Sequence, residues 1–282
     1  MYKNILLCTD GSPGAEPATG CAVWFSRHLG ARLRALYVTD VRILEGPLAA
    51  DISGALGAQP YPGLVPLLQR IQQDKAGAIL NAVQARCRSE QVDCQTAHET
   101  GTLVGALLEH ERQADLVVLG QRGEHAQWHG PLLGSSLERM VRASIKPCLV
   151  VAGEFRPVQR LLIAYDGSAE SNKALHSGID LAQALALREI SIITVCRREE
   201  EESASRFLQE ARQLAQDHQI PAATELIHGD PETEILRATA KFQADLVVMG
   251  AYGHTRIREF ILGSTTTHLI RKTTVPVLLS RG

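Results

Sequence analysis

The same set of motifs occurs twice in this sequence, in the same order. Each copy opens with an apolar run that ends in Asp-Gly-Ser. A second apolar run ends in glycine, and the last block is a proline followed by apolar residues. The paired blocks are anchored at Asp10 and Asp166, at Gly120 and Gly250, and at Pro147 and Pro276. Three matching blocks in one order indicate a tandem duplication, so the 282 residues are predicted to form two similar domains of ordinary size.

Within each copy, strand-like and helix-like segments alternate to give five strands. This alternation predicts an α/β fold of two tandem Rossmann-like (adenine nucleotide α-hydrolase-like) domains. Each is a five-stranded parallel sheet with helices on both faces. We predict domains at residues 1–154 and 157–282. Ligands of such sheets bind beyond the carboxyl ends of the strands, where strand order reverses. With the order 3-2-1-4-5, Asp166 and Gly250 would meet in one crevice.

The two copies differ most in length between their first and second motifs. Asp10 and Gly120 are 110 positions apart, whereas Asp166 and Gly250 are 84 apart. The additional residues fall in an insertion at 41–66 that is rich in Gly, Pro, Ala and Leu. Such a composition predicts a long loop. A packing element, a lid over a site and a subunit contact are all open interpretations of it.

Composition excludes several classes of partner. A formal net charge of −2 favours neither nucleic acid nor an acidic membrane surface. The six cysteines form no C-x-x-C pair and are predicted to be buried thiols in a reducing compartment. No apolar run is long enough for a membrane span, and the chain enters a strand at once without a signal-peptide pattern. A cytoplasmic protein is therefore expected.

The second copy carries a glycine and hydroxyl pattern suited to phosphate. Gly250 and Gly253 follow a buried strand. Nine residues separate Gly253 from Gly263, and Gly263 and Ser264 open a helical segment. Glycine permits close approach of a ligand to the backbone. The free N–H groups and the dipole of a helix start favour an anion. An ordinary strand, loop and helix cap is the alternative explanation of this stretch alone.

These residues resemble the universal stress protein family in its tandem two-domain form, whose nucleotide-binding members carry G-x2-G-x9-G-[ST]. The resemblance implies that the second domain binds ATP or a related adenine nucleotide, with or without Mg²⁺. It implies that the glycines and hydroxyls hold phosphates, that Val195 packs on adenine and that Met249 lines the site. The implied nucleotide-binding residues are Ala164, Asp166, Val195, Met249, Gly250, Gly253, Gly263, Ser264 and Thr265.

The first copy departs from the family pattern. Its corresponding residues, a second candidate nucleotide site, are Asp10, Gly120, Gly123, Gly134, Ser135 and Ser136. Ten residues, rather than nine, separate Gly123 from Gly134, and Glu124 adds negative charge. One extra residue displaces hydrogen-bond donors by up to a few ångströms, so nucleotide binding is predicted chiefly in the second domain and is left open for the first. His125 and His129 have a metal-ligand spacing, but an exposed loop pair is favoured because no third ligand is nearby.

Asp10 and Asp166 have three interpretations. They would act as general bases or Mg²⁺ ligands, accept hydrogen bonds from a ribose or base, or cap their own turns. The second and third are favoured. Charged residues near the second motif, including Arg271 and Lys272, are interpreted mainly as solvated surface charge.

Enzyme motifs are absent from the sequence. It contains no P-loop, no G-x-G-x-x-G and no G-x-S-x-G elbow. The resemblance implies a regulatory stress protein without strong catalytic activity. An interaction module of the same fold and a slow ATP hydrolase are the alternatives. The two halves are expected to pack as a pseudo-twofold pair through their last strands, around Val150 and Val277. A homodimer of whole chains is also compatible with the sequence.

Overall fold

The computed structural model describes residues 2–41, 64–123, 135–251 and 262–281. Most of the predicted 41–66 insertion lies outside these ranges. The strands are β1 (Asn4–Cys8), β2 (Arg32–Asp40), β3 (Cys94–Gly101), β4 (Leu116–Gly120), β5 (Cys148–Val151), β6 (Leu161–Ala164), β7 (Ile190–Cys196), β8 (Ala222–His228), β9 (Leu246–Gly250) and β10 (Val277–Ser280). The helices with described bounds are α1 (Glu16–Leu29), α2 (Leu64–Ser89), α3 (Leu103–His110), α4 (Ser135–Ala143), α5 (Ala169–Ala184), α6 (Glu201–Asp217), α7 (Pro231–Lys241) and α8 (Ser264–Lys272).

The ten strands of the described residues form one sheet in the order β3-β2-β1-β4-β5-β10-β9-β6-β7-β8. Within each half the strands are parallel and follow the predicted order 3-2-1-4-5. The halves meet where β5 and β10 pair antiparallel, with Val150 opposite Val277, as predicted. The predicted fold class is therefore confirmed, and the last strand of each half is an internal strand of the complete sheet.

Apolar residues cover both faces of the sheet, and each layer extends through both halves. One layer packs α1, α2, α5 and α6 on the sheet, with Phe25 and Ile179 among its fully buried side chains. The opposite layer packs α3, α4, α7 and α8, with Leu107 and Leu269 fully buried. Strands β4, β5, β9 and β10, in the middle of the sheet, are buried on both sides, which accounts for their continuous apolar runs. The outermost strands β3 and β8 are partly exposed and carry polar residues.

The turn after the first strand of each half is built in the same way. Asp10 Oδ1 accepts a hydrogen bond from the Ser12 N–H at 2.9 Å, and Asp166 Oδ1 accepts one from Ser168 at the same distance. In the second half, the residue between Asp166 and Ser168 must be glycine. Gly167 has φ +79°, and a Cβ there would lie 2.7 Å from the Phe207 ring. Both aspartates therefore cap their own turns, which confirms one of the predicted roles.

A second pair of aspartates fixes the register of the central strands. Asp115 accepts hydrogen bonds from the backbone N–H groups of Lys3 and Asn4, at 2.8 and 2.9 Å. In the second half, Asp245 accepts from Gln159 and Arg160, at 3.1 and 3.0 Å. Each contact ties the start of the fourth strand to the start of the first. The carboxyl ends of these two strands consequently lie side by side.

No helix within the described ranges has both the length and the apolar content needed to cross a membrane.

Candidate functional site

A crevice of about 250 Å³ opens at the carboxyl ends of β6, β7 and β9 in the second half. Because β6 pairs with both β7 and β9, the crevice lies at the point where strand order reverses. The starts of α7 and α8 complete its walls. The lining residues are Ala164, Tyr165, Asp166, Ser171, Ile193, Val195, Pro231, Ile235, Met249, Gly250, Gly263, Ser264, Thr265 and Thr266.

The sequence prediction named nine residues for this site, and the structure brings eight of them to the crevice. Gly253, the ninth, lies outside the described residues. The prediction missed Tyr165, Ser171, Ile193, Pro231, Ile235 and Thr266. Thr266 could have been found from the run of three hydroxyl residues that follows Gly263. The others come from elements whose position over the crevice depends on tertiary packing.

The beginning of α8 differs from the beginnings of its neighbours. Ser168 caps α5 by accepting from the Ser171 N–H, and Asp230 caps α7 by accepting from the Thr233 N–H. The N-cap of α8 is Gly263, which has no side chain to supply such a bond. The first-turn N–H groups of α8 therefore face the crevice without a side-chain cap, beside the hydroxyls of Ser264 and Thr265. This combination suits an anion.

A buried hydroxyl anchors this helix start. Thr266 is 2% exposed, and its Oγ1 lies 3.1 Å from the Ala251 carbonyl oxygen and 3.4 Å from that of Gly250. The Thr266 hydroxyl thus joins the first turn of α8 to the end of β9. The position of the uncapped N–H groups relative to the sheet is set by this contact.

The opposite wall of the crevice is apolar. Ile193 and Val195 project from β7, Ile235 from α7, and Met249 from the end of β9. Ile193, Ile235 and Met249 are buried, whereas Val195 is partly exposed. An apolar wall facing a set of backbone donors suits a ligand with one flat apolar part and one anionic part.

Polar groups at the end of β6 divide between the two faces of the sheet. Asp166 and Tyr165 both line the crevice. The Tyr165 side chain, however, packs in the layer of α5, where its hydroxyl donates to Asn172 Oδ1 at 2.9 Å. Burial, together with the charges of Glu210 and Asp166, raises the pKa of Tyr165. Tyr165 thus remains a neutral core residue, and Asp166 is the carboxylate in the crevice lining.

Gly250 is explained by packing. A Cβ at this position would lie 3.0 Å from Glu170 and from the Ser171 N, in the first turn of α5. The absent side chain lets α5 approach the end of β9. Gly120 has the same relation to α1, because its Cβ would lie 3.2 Å from the Gly14 carbonyl oxygen and 3.3 Å from Ala15 Cα. Close helix packing therefore accounts for the first glycine of both copies.

The corresponding residues of the first half have the following positions. Gly123 lies over Asp10, since a Cβ on Gly123 would be 2.7 Å from Asp10 Oδ2. Cys8 pairs with Leu36 as Ala164 pairs with Ile193, so Cys8 and Leu36 occupy the positions equivalent to Ala164 and Ile193. The sequence alignment of the repeats puts Leu137 in place of Thr266, and Leu137 is buried in the core.

The remaining residues of the first candidate site are distributed as follows. Gly120 ends β4, and Ser135 and Ser136 are the first two residues of α4. Gly134 lies outside the described residues, as do His125 and His129. Gly123 therefore lies close to Asp10, and the residues between Gly123 and α4 lie outside the described ranges.

Arg271 and Lys272 are exposed residues in the last turn of α8, at the end opposite the crevice. There they complement the negative end of the helix dipole, so the interpretation as surface charge holds. Among the described residues, no group of three or more His, Cys, Asp or Glu side chains is arranged to hold a metal ion.

Fold and crevice together define a tandem, doubly wound α/β protein with a candidate ligand site at one switch point. The profile of the universal stress protein family matches residues 1–152 and again residues 157–281. Universal stress protein Slr1230 of Synechocystis is 34% identical over 289 aligned positions, covering 99% of this chain and 100% of that protein. The chain belongs to the universal stress protein family.

More distant relatives extend over the same length. Universal stress protein Rv2005c of Mycobacterium tuberculosis is 23% identical over 300 positions, covering 99% of this chain and 97% of that protein. The crystal structure of a universal stress protein from Archaeoglobus fulgidus matches with a TM-score of 0.76 and 21% identity. This match covers 99% of this chain and 96% of that one. The likeness to the solved structure extends to the tandem fold.

Proposed function

We propose that the second domain, which we delimit as residues 157–282, binds ATP or a related adenine nucleotide in the crevice. The phosphates would contact the start of α8, where Gly263, Ser264 and Thr265 lie. The adenine would pack against Val195 and the adjoining apolar wall, and Asp166 would accept from the ribose. Mg²⁺ would accompany the triphosphate, held chiefly by its phosphate oxygens.

The observation that carries this proposal is the uncapped start of α8 facing an apolar wall. Gly263 supplies no side-chain cap, whereas the neighbouring helices α5 and α7 have one. A helix start without a side-chain cap retains donors for a ligand, and the helix dipole favours a negative one. Ile193, Val195 and Ile235 provide the apolar surface that a purine requires.

We propose a regulatory role in the cytoplasm rather than an enzymatic one. Bound nucleotide would stabilise the conformation that has the complete crevice relative to one that does not. The shift in this equilibrium is limited by the difference in nucleotide affinity between the two conformations. Asp166 already accepts from the Ser168 backbone, which suits it to positioning a ribose. Family membership supports this role, since the chain belongs to a family of stress proteins.

The test uses Thr265→Glu and its equivalent in the first half, Ser136→Glu. Both residues are the second residue of a helix, and both are partly exposed. Glutamate is favourable in a helix first turn, so both variants should fold with unchanged or slightly raised Tm. Only Thr265→Glu puts a negative charge where the phosphates would lie. We expect at least a tenfold loss of affinity for fluorescent ATP in this variant and less than a twofold change in Ser136→Glu.

Each alternative predicts a different result. If the chain is an interaction module, no adenine nucleotide will co-purify and none will bind at millimolar concentration. If it is an enzyme, ATP turnover will exceed about one per second, near the low end of ordinary enzymes. Equal loss of binding in the two variants would contradict assignment of the site to the second half. Gly123→Val is unsuitable as the control, because its side chain would collide with Asp10.

A further inference from the structure

A histidine and a glutamate join the two helices that begin at the crevice. His268 belongs to α8 and Glu232 to α7, and these helices pack against each other. His268 Nδ1 lies 3.4 Å from Glu232 Oε2. The two side chains are 36% and 31% exposed, so the pair lies at the surface, where protons from solvent reach it.

Both members of the pair lie close to residues that line the crevice. His268 is four residues after Ser264, so the two side chains lie on one side of α8. Glu232 directly follows Pro231, at the start of α7. One turn of an α-helix rises about 5 Å, and helical side chains lean toward the N-terminus. The charges of the pair therefore lie within about 10 Å of the uncapped N–H groups of α8.

The equivalent positions of the first half hold residues of different chemistry. The second residue of α3 is Val104, which corresponds to Glu232, and the fifth residue of α4 is Arg139, which corresponds to His268. Valine has no charge, and arginine remains protonated at every physiological pH. At these positions, a pair that changes its net charge near neutral pH is thus found in the half that contains the crevice.

We propose that His268 makes nucleotide binding depend on pH, the phosphates binding more tightly when its imidazole is protonated. This inference rests on the nucleotide site proposed above. A histidine ordinarily takes up its proton at about pH 6.5. While the imidazole is neutral, the pair carries the negative charge of Glu232, which repels a phosphate at the start of α8. Once the imidazole is protonated, the pair has no net charge and this repulsion is removed.

Other charged side chains surround His268 without changing charge in the same way. Aspartate, glutamate, lysine and arginine ordinarily titrate well below pH 6 or well above pH 8, so histidine is the residue type that responds between them. The sheet under α8 presents apolar side chains, and the first half reaches α8 through the uncharged Gln121. The described charged groups on the surrounding elements, besides Glu232, include Arg271 and Lys272 in the last turn of α8, Glu234 and Arg237 of α7, which pair with each other, and Asp166 in the crevice lining.

The experiment measures the affinity for ATP at about pH 6 and about pH 8 in wild type, His268→Gln and His268→Lys. Glutamine is uncharged at both pH values, and lysine is charged at both. At the lower pH, wild type should bind ATP about three- to tenfold more tightly than His268→Gln, the effect of one charge at this distance in salt solution. At the higher pH these two should bind alike, and His268→Lys should bind more tightly than either by about the same factor. Phosphate also titrates in this range, but identically for every variant, so the ratios between variants are compared.

His228→Gln is the matched control. His228 lies 3.5 Å from Glu201 and is also partly exposed, but this pair contacts α6, on the opposite face of the sheet from α7 and α8. Its strand, β8, is three strands from β9, or about 14 Å, which exceeds the screening length of about 8 Å at physiological salt. This variant should bind ATP as wild type does at both pH values. Adenosine, which has no phosphate, should bind all four proteins equally at each pH.

The possible outcomes separate this inference from the proposed function. Equal ATP affinities of wild type and His268→Gln at about pH 6 would overturn the inference and leave the nucleotide site in place. A change in adenosine affinity as large as the change in ATP affinity would also overturn it, since the effect would then come from the shape of the crevice. If wild type bound no adenine nucleotide at either pH, the proposed function would fail together with this inference. Urea unfolding at each pH confirms that the variants are folded, as expected for substitutions of partly exposed residues.

Discussion

At the scale of single residues, the glycines of the repeated motif serve different purposes. Gly263 leaves the start of α8 without a side-chain cap, so its effect is on the crevice. Gly250 instead admits the first turn of α5, which a Cβ would meet at 3.0 Å. The glycines of the repeated motif therefore meet two separate needs. Gly250 allows a helix to pack closely, and Gly263 leaves a helix start without a side-chain cap.

The packing role of Gly250 predicts a cost for the smallest side chain. Gly250→Ala should destabilise the protein by about 1–3 kcal/mol, since the backbone of α5 must shift to admit the methyl group. Gly77→Ala is the matched control, because nothing lies within 4 Å of a Cβ built at this position in α2. It should stabilise the protein by about 0.5–1 kcal/mol through helix propensity. Urea unfolding monitored by circular dichroism measures both, and equal midpoints would refute the packing role.

At the scale of elements, α8 connects the crevice with the other half of the molecule. Its first turn is fixed to β9 by Thr266. Near its other end, the Ile270 carbonyl oxygen accepts from Gln121 Nε2, the side chain that follows β4. One nine-residue helix therefore contacts the candidate site at its start and the first half at its end.

The Thr266→Val variant tests whether the bond between α8 and β9 affects nucleotide binding separately from overall stability. The isosteric change removes the hydroxyl that bonds to β9, and a cost of about 1 kcal/mol is expected. Thr239→Val is the control, because the Thr239 hydroxyl bonds to Ile235 within α7. Both variants should lose similar stability in urea. Fluorescent ATP should bind more weakly to Thr266→Val alone, by several-fold. Unchanged affinity in that variant would mean that the anchor does not position the donors of α8.

The sequence predicted the strands and helices better than it predicted which of their side chains line the crevice. Apolar runs and glycine spacing determine the strand ends locally, which is why Asp166, Gly250 and Gly263 were placed correctly in one crevice. Ile193 and Ile235 were missed because their positions depend on sheet register and on which helix covers β7. Similarly, β3 begins at Cys94 rather than at the apolar Val92, because the Val92 N–H closes the end of α2 by donating to the Cys87 carbonyl oxygen. Backbone capping there overrides side-chain pattern.

At the scale of the whole molecule, the two halves share one sheet and two continuous apolar layers. Tyr2 illustrates the junction, since it precedes β1 and lines a cavity together with Ser177 and Asp180 of α5 in the other half. Burial raises the pKa of Tyr2 to about 12, and the charges of Asp180 and Asp115 act in the same direction. The junction therefore holds a phenol that resists ionisation in the folded state.

This pKa predicts a loss of stability at alkaline pH. The folded-state pKa lies above the ordinary value of 10, so the folded protein retains the phenolic proton after the unfolded chain has released it. The stabilisation is complete below pH 10 and is lost as the pH rises toward 12, by roughly 2 kcal/mol. Phenylalanine has no ionisable group, so the Tyr2→Phe variant should lack this part of the dependence of the unfolding free energy on pH. Urea unfolding of both proteins between pH 9 and 11.5 measures the difference, and parallel curves would exclude the contribution of Tyr2.

The pairing of β5 with β10 has a consequence for how the two halves change over time. In an assembly of identical chains, every substitution appears in both copies, so a residue that closes one site closes the other as well. Because both partners here are encoded in one polypeptide, equivalent positions can differ. Leu137 is buried in the core of the first half, whereas the second half has Thr266, whose hydroxyl bonds to the end of β9. Covalent fusion thus lets each half accept substitutions that the other half does not share.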